Sequence, residues 1–203
     1  MPRHRRRTGH WRSPGPGRAD RWVHAAAGGV GSIACQWAKH LGATVIGTVG
    51  SPEKAEIARS NGCDFPILYN DEDFAAKTKE ITGGNGVAVV YDSVGEATFM
   101  KSLDCLRPMG MMVFFGQASG PVAAFNPSIL AAKGSLFLTR PSLMAYTAKR
   151  EDLLDHARDL FEVVESGVVK IEIKQTYPLA EAAQAHRDME ARKTTGSTIL
   201  IPG

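Results

Sequence analysis

A glycine-rich stretch at residues 25–31, Ala-Ala-Ala-Gly-Gly-Val-Gly, constrains this chain more than any other feature. It follows a short apolar run and precedes a helical pattern, which is the strand–turn–helix setting of a dinucleotide-binding fingerprint. Ala26 replaces the first glycine of G-x-G-x-x-G, whereas Gly28 and Gly31 hold the third and sixth positions. These two glycines let the backbone approach a pyrophosphate and let the helix pack closely on the strand. The residues expected to bind a dinucleotide phosphate at a helix amino end are Ala27, Gly28, Gly29, Val30 and Gly31.

Strands and helices alternate along residues 23–150, and this order predicts an α/β fold with a Rossmann-type, doubly wound parallel sheet. The predicted strands lie at residues 22–25, 43–48, 65–69, 87–92, 111–115 and 135–139, with one of the helices at 71–81. After residue 150 the pattern changes to a helix over 151–165, an apolar stretch over 168–174, a helix over 178–189 and a strand over 197–201. We expect residues 151–203 to return toward a second domain.

Residues 1–22 differ from the rest of the chain in charge and in pattern. They contain seven arginines and one aspartate, a charge of +6, so the net charge of +3 leaves −3 for the remainder. The segment has no helical or strand periodicity, which predicts a disordered basic tail. A solvated tail or an aberrant start of the reading frame is the favoured interpretation. A nucleic-acid-binding arm is the alternative, but charge alone does not identify a partner.

Composition and cysteine spacing exclude several classes of protein. Hydrophobic residues make up 43% of the chain and charged residues 22%, as in globular proteins with an ordinary core. No apolar run reaches the roughly 18 residues that span a bilayer, so we expect no membrane association. The three cysteines form no C-x-x-C pair, which predicts no metal site, no disulfide framework and a cytoplasmic location.

The residues after the second predicted strand indicate which dinucleotide fits. NAD-binding domains carry an acid there for the ribose 2′-hydroxyl, whereas Gly50 and Ser51 follow this strand and Lys54 comes one helical turn later. This combination favours the 2′-phosphate of NADP, although a helix cap and a solvated lysine are the alternative interpretation. Tyr69 ends the third strand and is expected to contact the adenosine or its 2′-phosphate, unless it is a partly buried structural tyrosine.

Several separated motifs resemble those of the quinone oxidoreductase (zeta-crystallin-like) branch of the medium-chain dehydrogenase/reductase superfamily. They lie at residues 24–31, 34–39, 47–50, 91–95, 115–116, 139–142, 177–179 and 196–202. The resemblance implies NADPH-dependent reduction of a small-molecule quinone, no zinc, and homodimers formed by pairing of sheet edges. Members of this branch begin with a separate GroES-like substrate domain, most of which is missing here. We therefore expect a truncated or mis-started member in which residues 151–203 are a fragment of that domain.

The resemblance also implies roles for the residues after the fourth and fifth strands. Ser93, Val94 and Gly95 are expected beside the cofactor. The residues expected near its nicotinamide half are Phe115, Gly116 and Gln117. A turn glycine at position 95 and a core phenylalanine at position 115 are the alternatives.

No residue receives a catalytic role from the sequence. Tyr146 and Lys149 are three residues apart, whereas short-chain dehydrogenase chemistry uses a Tyr and a Lys four apart. His24 is expected to be a hydrogen-bonded core histidine, and Cys35 an inert packing residue. A quinone needs only a hydride and a solvent proton, so the reductase hypothesis requires no acid–base pair. An NADPH-binding chain without turnover stays open as the alternative.

Overall fold

The computed structural model describes residues 20–191 and 193–203, so most of the predicted basic tail lies outside the described residues. One sheet contains the strands β1 (Arg21–Val23), β2 (Val45–Val49), β3 (Phe65–Leu68), β4 (Val87–Asp92), β5 (Leu106–Phe114) and β6 (Phe137–Thr139). All neighbouring strands are parallel, in the order β3-β2-β1-β4-β5-β6. This order confirms the doubly wound, Rossmann-type fold.

Helices connect the strands, and two of them begin at capping side chains. The helices are α1 (Gly29–His40), α2 (Pro52–Ser60), α3 (Phe74–Ile81), α4 (Phe99–Asp104), α5 (Ser128–Ala132), α6 (Leu143–Tyr146), α7 (Arg150–Glu165) and α8 (Ala182–Glu190). Ser51 caps α2 as predicted, because its hydroxyl accepts from the Lys54 N–H at 3.3 Å. The helix predicted from residue 71 begins only at Phe74, since the Asp73 carboxylate caps it by accepting from two backbone N–H groups.

The sheet is buried on both faces, as a parallel sheet requires. In β1, Trp22 belongs to one core cluster and Val23 to the other. The Trp22 cluster includes Phe74 from α3 and Phe99 from α4. The opposite cluster consists mainly of small residues from α1 and α2, which lets these helices approach the strands closely.

A second, two-stranded parallel sheet consists of β7 (Ile173–Pro178) and β8 (Ser197–Ile201), with a 3-10 turn at Leu179–Glu181 before α8. It is anchored to α1 through Gln36, whose amide donates to the Lys170 carbonyl at 3.0 Å and accepts from the Lys170 N–H at 2.8 Å. Across residues 20–191 and 193–203, no helix has the length and apolarity that a membrane span requires.

Candidate cofactor site

The loops that the sequence singled out lie along one edge of the sheet. All six strands are parallel, so their carboxyl ends share that edge. In sheet order, the residues that follow β3, β2, β1, β4 and β5 are Tyr69, Gly50, His24, Ser93 and Phe115. The strand order reverses between β1 and β4, and open α/β sheets bind ligands at such a switch point.

The glycine turn after β1 is compact. The Gly28 N–H donates to the Ala25 carbonyl at 2.9 Å, and Ala25 has a φ of 53°, in the left-handed region. A Cβ atom on Gly31 would lie 2.1 Å from the Ala25 oxygen. The helix α1 therefore packs against this turn only because residue 31 is glycine.

The amino end of α1 is open to an anion. The helix begins at Gly29, none of the described side chains caps it, and its first turn contains no acid. The first N–H groups of a helix lack intrahelical acceptors and carry the positive end of the helix dipole. Val30, in this first turn, is 65% exposed although it is apolar. These are the properties that the predicted phosphate site requires.

The residues that follow β3 contact Gly50, the first residue after β2. A Cβ atom at this position would lie 2.8 Å from the Tyr69 hydroxyl oxygen, so the tyrosine side chain covers the strand end. The Asn70 side chain donates to the Gly50 carbonyl at 3.0 Å. Lys54 lies half-buried in the first turn of α2, three residues after Ser51. The four residues proposed from the sequence for the 2′-phosphate thus come from one corner of the edge.

Sequence analysis missed an acid in this corner. The pKa of Glu53, an exposed residue in the first turn of α2, is lowered chiefly by its hydrogen bond with Ser51. Its negative charge therefore stands beside a residue proposed for the 2′-phosphate. An acid in the first turn of a helix is also what the helix dipole favours, so the sequence offered no signal that set it apart.

The loops after β4 and β5 form one hydrogen-bonded unit. The Ser119 N–H and hydroxyl both donate to the Val94 carbonyl at 2.8 Å. A Cβ atom on Gly116 would lie 2.6 Å from the Ser93 carbonyl oxygen. The two segments predicted near the cofactor are therefore in contact, although α4 and β5 separate them in the sequence.

Within these two segments the side chains differ in exposure. Val94 and Phe115 are partly buried, whereas Gln117 is exposed. Gly95 has a φ of 97°, a conformation that favours glycine, and a Cβ atom on it would lie 2.6 Å from the Gly120 carbonyl oxygen. Gly95 is thus a turn glycine, and this is compatible with a place beside a cofactor.

His24 is the hydrogen-bonded core histidine that the sequence predicts. Its Nδ1 lies 2.9 Å from the Thr48 hydroxyl and its Nε2 lies 2.8 Å from the Ser102 hydroxyl. Burial lowers the pKa of His24 to about 4, against the opposing effect of the nearby Asp92 carboxylate. The imidazole is therefore neutral at physiological pH.

The carboxy-terminal sheet adds a contact that sequence analysis did not assign to the site. The Gly196 N–H donates to the Ala27 carbonyl at 3.2 Å, and Gly196 forms a parallel bridge with Gly28. A Cβ atom on Gly29 would lie 3.2 Å from the Gly196 carbonyl oxygen. The glycine turn is thus bounded by residues from near the end of the chain.

The described residues offer no other cluster with obvious chemistry. Nowhere among them do three His, Cys, Asp or Glu side chains meet in a way that could hold a metal ion. Cys35 is fully buried, and the pKa of its thiol is raised chiefly by a hydrogen bond with Cys63. Tyr146 packs against His156, with ring centroids 6.2 Å apart, and α6 does not follow any of the five strand ends of the site.

A family model described as zinc-binding dehydrogenase matches residues 29–158, a range that begins at the first residue of α1. It covers more than half of the chain. The chain belongs to this zinc-binding dehydrogenase family. The match includes the glycine-turn helix, the ends of β2 to β6 and the first half of α7, so it covers most of the sheet edge described above.

Individual relatives are named as oxidoreductases or reductases, and a solved one shares this fold. Quinone oxidoreductase of Pseudomonas aeruginosa is 54% identical over 179 residues, which cover 88% of this chain and 55% of the relative. A 2-haloacrylate reductase of a Burkholderia species is 51% identical over 183 residues, 89% of this chain and 54% of the relative. The crystal structure of Escherichia coli quinone oxidoreductase complexed with NADPH has a TM-score of 0.87 at 51% identity, covering 91% of this chain and 57% of that chain. The chain spans about half the length of the curated relatives it matches.

Proposed function

We propose that this chain binds NADPH at the carboxyl edge of its sheet and serves an NADPH-dependent reductase whose substrate is a quinone. The observation that carries the proposal is the open amino end of α1 behind a tight glycine turn, located at the switch point of the sheet. Support comes from a solved relative of the same fold, at 51% identity, that is complexed with NADPH.

The residues divide among the parts of the dinucleotide. The pyrophosphate would lie against the N–H groups of residues 27–31, because no side chain within residues 20–191 and 193–203 caps the amino end of α1. The adenosine 2′-phosphate would lie near Ser51, Lys54 and Tyr69, at the corner closed by Gly50. The nicotinamide half would lie against residues 93–95 and 115–117, on the other side of the switch point.

The chain's own residues bind and orient rather than exchange protons. NADPH, when bound, supplies the hydride. Two titratable groups, His24 and Asp92, are buried under the edge. Both ring nitrogens of His24 and both carboxylate oxygens of Asp92 are already hydrogen-bonded within the protein. The proton that completes quinone reduction would come from solvent. We expect part of the substrate contact to come from a GroES-like domain such as the resemblance implies, beyond residues 23–150.

We further propose that residues 23–150 form the cofactor domain, that residues 151–203 return toward a substrate domain, and that residues 1–22 are a basic tail. Two copies would pair through sheet edges, as the resemblance implies, and we assign this pairing to the edge strand β6. Phe137 in this strand is 58% exposed although it is apolar, which supports a covered edge in the assembly. We expect neither nucleic acid nor membrane among the partners, and a cytoplasmic location.

The first experiment is a titration of the purified full chain with NADPH and with NADH, followed by a simple benzoquinone. We expect saturable binding that favours NADPH, and oxidation of NADPH when the quinone is added. Replacing Lys54→Ala should weaken NADPH about tenfold and NADH little, since a charge-assisted contact contributes on the order of 1.5–3 kcal/mol. Lys79→Ala is the matched control, because Lys79 is also a partly exposed helix lysine but lies on α3. A folded chain that binds neither dinucleotide would contradict the proposal.

A second candidate function is cofactor binding without turnover. It requires only the glycine turn and the loops after β2 to β5, all of which this chain contains. NADPH binding with no oxidation on addition of a quinone would support it. The same assay should include 2-chloroacrylate, since a relative at 51% identity is a 2-haloacrylate reductase. Oxidation with the haloacrylate alone would replace the quinone as the proposed substrate.

A further inference from the structure

A buried chain of hydrogen bonds runs directly beneath the proposed site. It connects Thr48 at the end of β2, His24 after β1, Ser102 on α4 and Asp92 at the end of β4. The three contacts measure 2.9, 2.8 and 2.9 Å. All four residues are at most 3% exposed. The network therefore lies under three of the strand ends that form the edge.

The donors and acceptors of this network can be assigned in one consistent direction. As a carboxylate, Asp92 only accepts, so the Ser102 hydroxyl donates to it. The Ser102 oxygen then accepts from the His24 Nε2–H, and His24 Nδ1 accepts from the Thr48 hydroxyl. The low pKa of His24 agrees with a neutral ring that has its proton on Nε2. Every polar atom of the network thus has a partner, and Asp92 is its terminal acceptor.

Asp92 also holds the backbone of the loop that follows it. Its Oδ1 accepts from the Val94 N–H at 2.7 Å and from the Gly95 N–H at 3.1 Å. Its Oδ2 accepts from the Thr98 hydroxyl at 2.8 Å. The backbone carbonyl of the same residue accepts from the Phe115 N–H at 2.8 Å. One residue is therefore hydrogen-bonded to both segments proposed for the nicotinamide half.

A purely structural role is a poor explanation for a fully buried carboxylate here. A buried charge is costly to desolvate and is normally compensated by an opposite charge. Within the described residues, the ion-pair partner recorded for Asp92 is His24, at 3.7 Å, and that ring is neutral. The carboxylate is held instead by N–H and O–H donors, two of which belong to the loop that it shapes.

We propose that Asp92 is a positioning residue, which sets the loops at residues 93–95 and 115–116 for the nicotinamide half of the cofactor. The proposal rests on the proposed NADPH function. In it, the Asp92 carboxylate does not touch the cofactor and acts through the backbone N–H groups of Val94 and Gly95. The loop that it holds contacts the second segment where the Ser93 carbonyl meets Gly116. Thr98 supports the carboxylate from the start of α4. The adenosine half, on the β2 and β3 side, does not depend on this residue.

The test compares two ligands by calorimetry on the full chain. NADPH carries both halves of the cofactor, whereas adenosine 2′,5′-bisphosphate carries the 2′-phosphate and no nicotinamide. In Asp92→Ala the Val94 and Gly95 N–H groups lose their acceptor, so we expect NADPH affinity to fall about tenfold or more. The affinity for the bisphosphate should stay within about twofold of the wild-type value, because its side of the edge is unchanged.

Two control variants separate positioning from general damage. Ser102→Ala breaks the link between His24 and Asp92 but leaves the Asp92 bonds to Val94, Gly95 and Thr98 intact. It should lower the unfolding midpoint and leave both affinities within about twofold of wild type. Asp92→Asn retains an acceptor for the loop, and its amide can donate to the Thr98 and Ser102 hydroxyl oxygens. It should restore NADPH affinity to within about threefold of wild type.

A milder variant covers the case in which Asp92→Ala does not fold. Thr98→Val removes one hydrogen bond to the carboxylate and, unlike Ser102→Ala, also a contact with the loop itself, because the Thr98 hydroxyl lies 3.3 Å from the Gly95 carbonyl oxygen. It should weaken NADPH about threefold without changing the bisphosphate. Equal weakening of both ligands by Asp92→Ala or Thr98→Val would overturn the positioning role. So would unchanged NADPH affinity in those variants. A wild-type chain that binds neither ligand would overturn the proposed function and this role with it, whereas a wild-type chain that binds both would leave the function standing.

Discussion

Gly31 and Ala25 show, at the scale of single residues, what holds the glycine turn in place. The Ala25 carbonyl oxygen accepts from the Gly28 N–H, and α1 presses against the same oxygen at Gly31. The need for glycine at position 31 follows from the motif and is confirmed by the close approach. The left-handed conformation of Ala25 could not be predicted, because alanine seldom adopts it.

Substituting Gly31→Ala should abolish saturable NADPH binding, because the added methyl group would lie 2.1 Å from the Ala25 oxygen and must displace the turn or α1. Gly42→Ala is the control: its φ of 80° makes alanine strained, but nothing lies within 4 Å of the new Cβ. We expect this control to lose about 1 kcal/mol of stability and to retain NADPH affinity. NADPH titrations of both variants test this prediction. An unchanged NADPH affinity in Gly31→Ala would show that the turn tolerates the displacement.

The His24 network makes stability depend on pH in a defined window. Burial lowers the pKa of His24 to about 4 from an ordinary value of 6.5, so the unfolded chain binds a proton that the folded chain does not. The contribution of the neutral ring is complete above about pH 6.5 and is lost as the pH falls toward 4, by about 3 kcal/mol. Asp92, the charged group that faces the ring, opposes this loss in part.

Urea unfolding from pH 8 to pH 5 should therefore show a decline in stability below pH 6.5 in the wild-type chain. His24→Gln keeps a donor for the Ser102 hydroxyl but has no imidazole, so its decline should be shallower. The two chains should be compared by the slope and not by the absolute midpoint, since the substitution also alters packing. Identical slopes would assign the acid sensitivity to other groups.

Glu53 makes a testable contribution to cofactor preference. Its carboxylate is hydrogen-bonded to Ser51, beside the proposed 2′-phosphate position, and like charges repel. Glu53→Gln should raise NADPH affinity about twofold to fivefold and leave NADH within about 1.5-fold, as expected for an exposed charge screened by salt. Affinities measured at low and at moderate ionic strength would show the difference shrinking with salt. An equal change for both dinucleotides would place Glu53 away from the 2′-phosphate.

At the scale of secondary-structure elements, β1 is unusually short for a central strand. It has only three residues although it lies in the centre, between β2 and β4. Its first residue, Arg21, is 2% exposed. The pKa of Tyr91 on β4 is raised by burial, and a hydrogen bond from Arg21 partly offsets that effect. A guanidinium group is thus buried in the central strand, where apolar residues normally pack.

The double variant Arg21→Met/Tyr91→Phe should be more stable than Tyr91→Phe alone. The single change leaves the buried guanidinium without the tyrosine hydroxyl and should cost about 1–3 kcal/mol. The double change removes both polar partners, which is often neutral or stabilising for buried pairs. Urea midpoints at neutral pH test the order of the two variants, and a double variant below the single one would show that Arg21 stabilises the strand by other contacts.

The order and type of the elements could be predicted from the sequence, whereas several boundaries could not. Residues 168–174, which the sequence marks only as an apolar stretch, are mostly not in a strand, because β7 begins at Ile173. The apolar residues before it finish α7: Gly167 adopts a φ of 74° and the Val169 N–H donates to the Val163 carbonyl. A hydrophobic residue after a glycine at a helix end commonly packs back on that helix. Apolar content alone does not distinguish this arrangement from the start of a strand.

The candidate site residues that follow each strand could be predicted from the sequence. The contacts that join these residues to one another could not. Glycines at sharp turns are local features, so residues 28, 31 and 95 were identified from the sequence. The contact between Gly196 and Ala27 and the hydrogen bonds of Asp92 join residues that are far apart in the chain. Such contacts depend on sheet order, which the alternation of elements does not specify.

At the scale of the whole molecule, β6 is an exposed edge strand, and the proposed dimer would cover it. Within residues 20–191 and 193–203, β6 pairs with β5 on one side only, and Phe137 is 58% exposed. Phe137→Lys should convert dimers to monomers, because charged edge residues oppose strand pairing. Met100→Lys, on α4 at 44% exposure, is the control and should leave the mass unchanged. Light scattering at several protein concentrations measures the molar mass of each variant. If Phe137→Lys still forms dimers, the interface lies elsewhere.

The contact between Gly196 and the glycine turn has a consequence for how the protein is made. The turn precedes α1, yet the residue that bounds it beyond Gly28 and Gly29 lies just before β8, after all six strands of the large sheet in the sequence. A contact of such long sequence separation requires the loop-closure entropy to be overcome first. Because β1 to β6 are synthesised before β8, a nascent chain carries the glycine motif before the residue that bounds it exists. The capacity to hold a dinucleotide would then arise only once β8 has been made, and a chain released before that point would carry the motif without its neighbour.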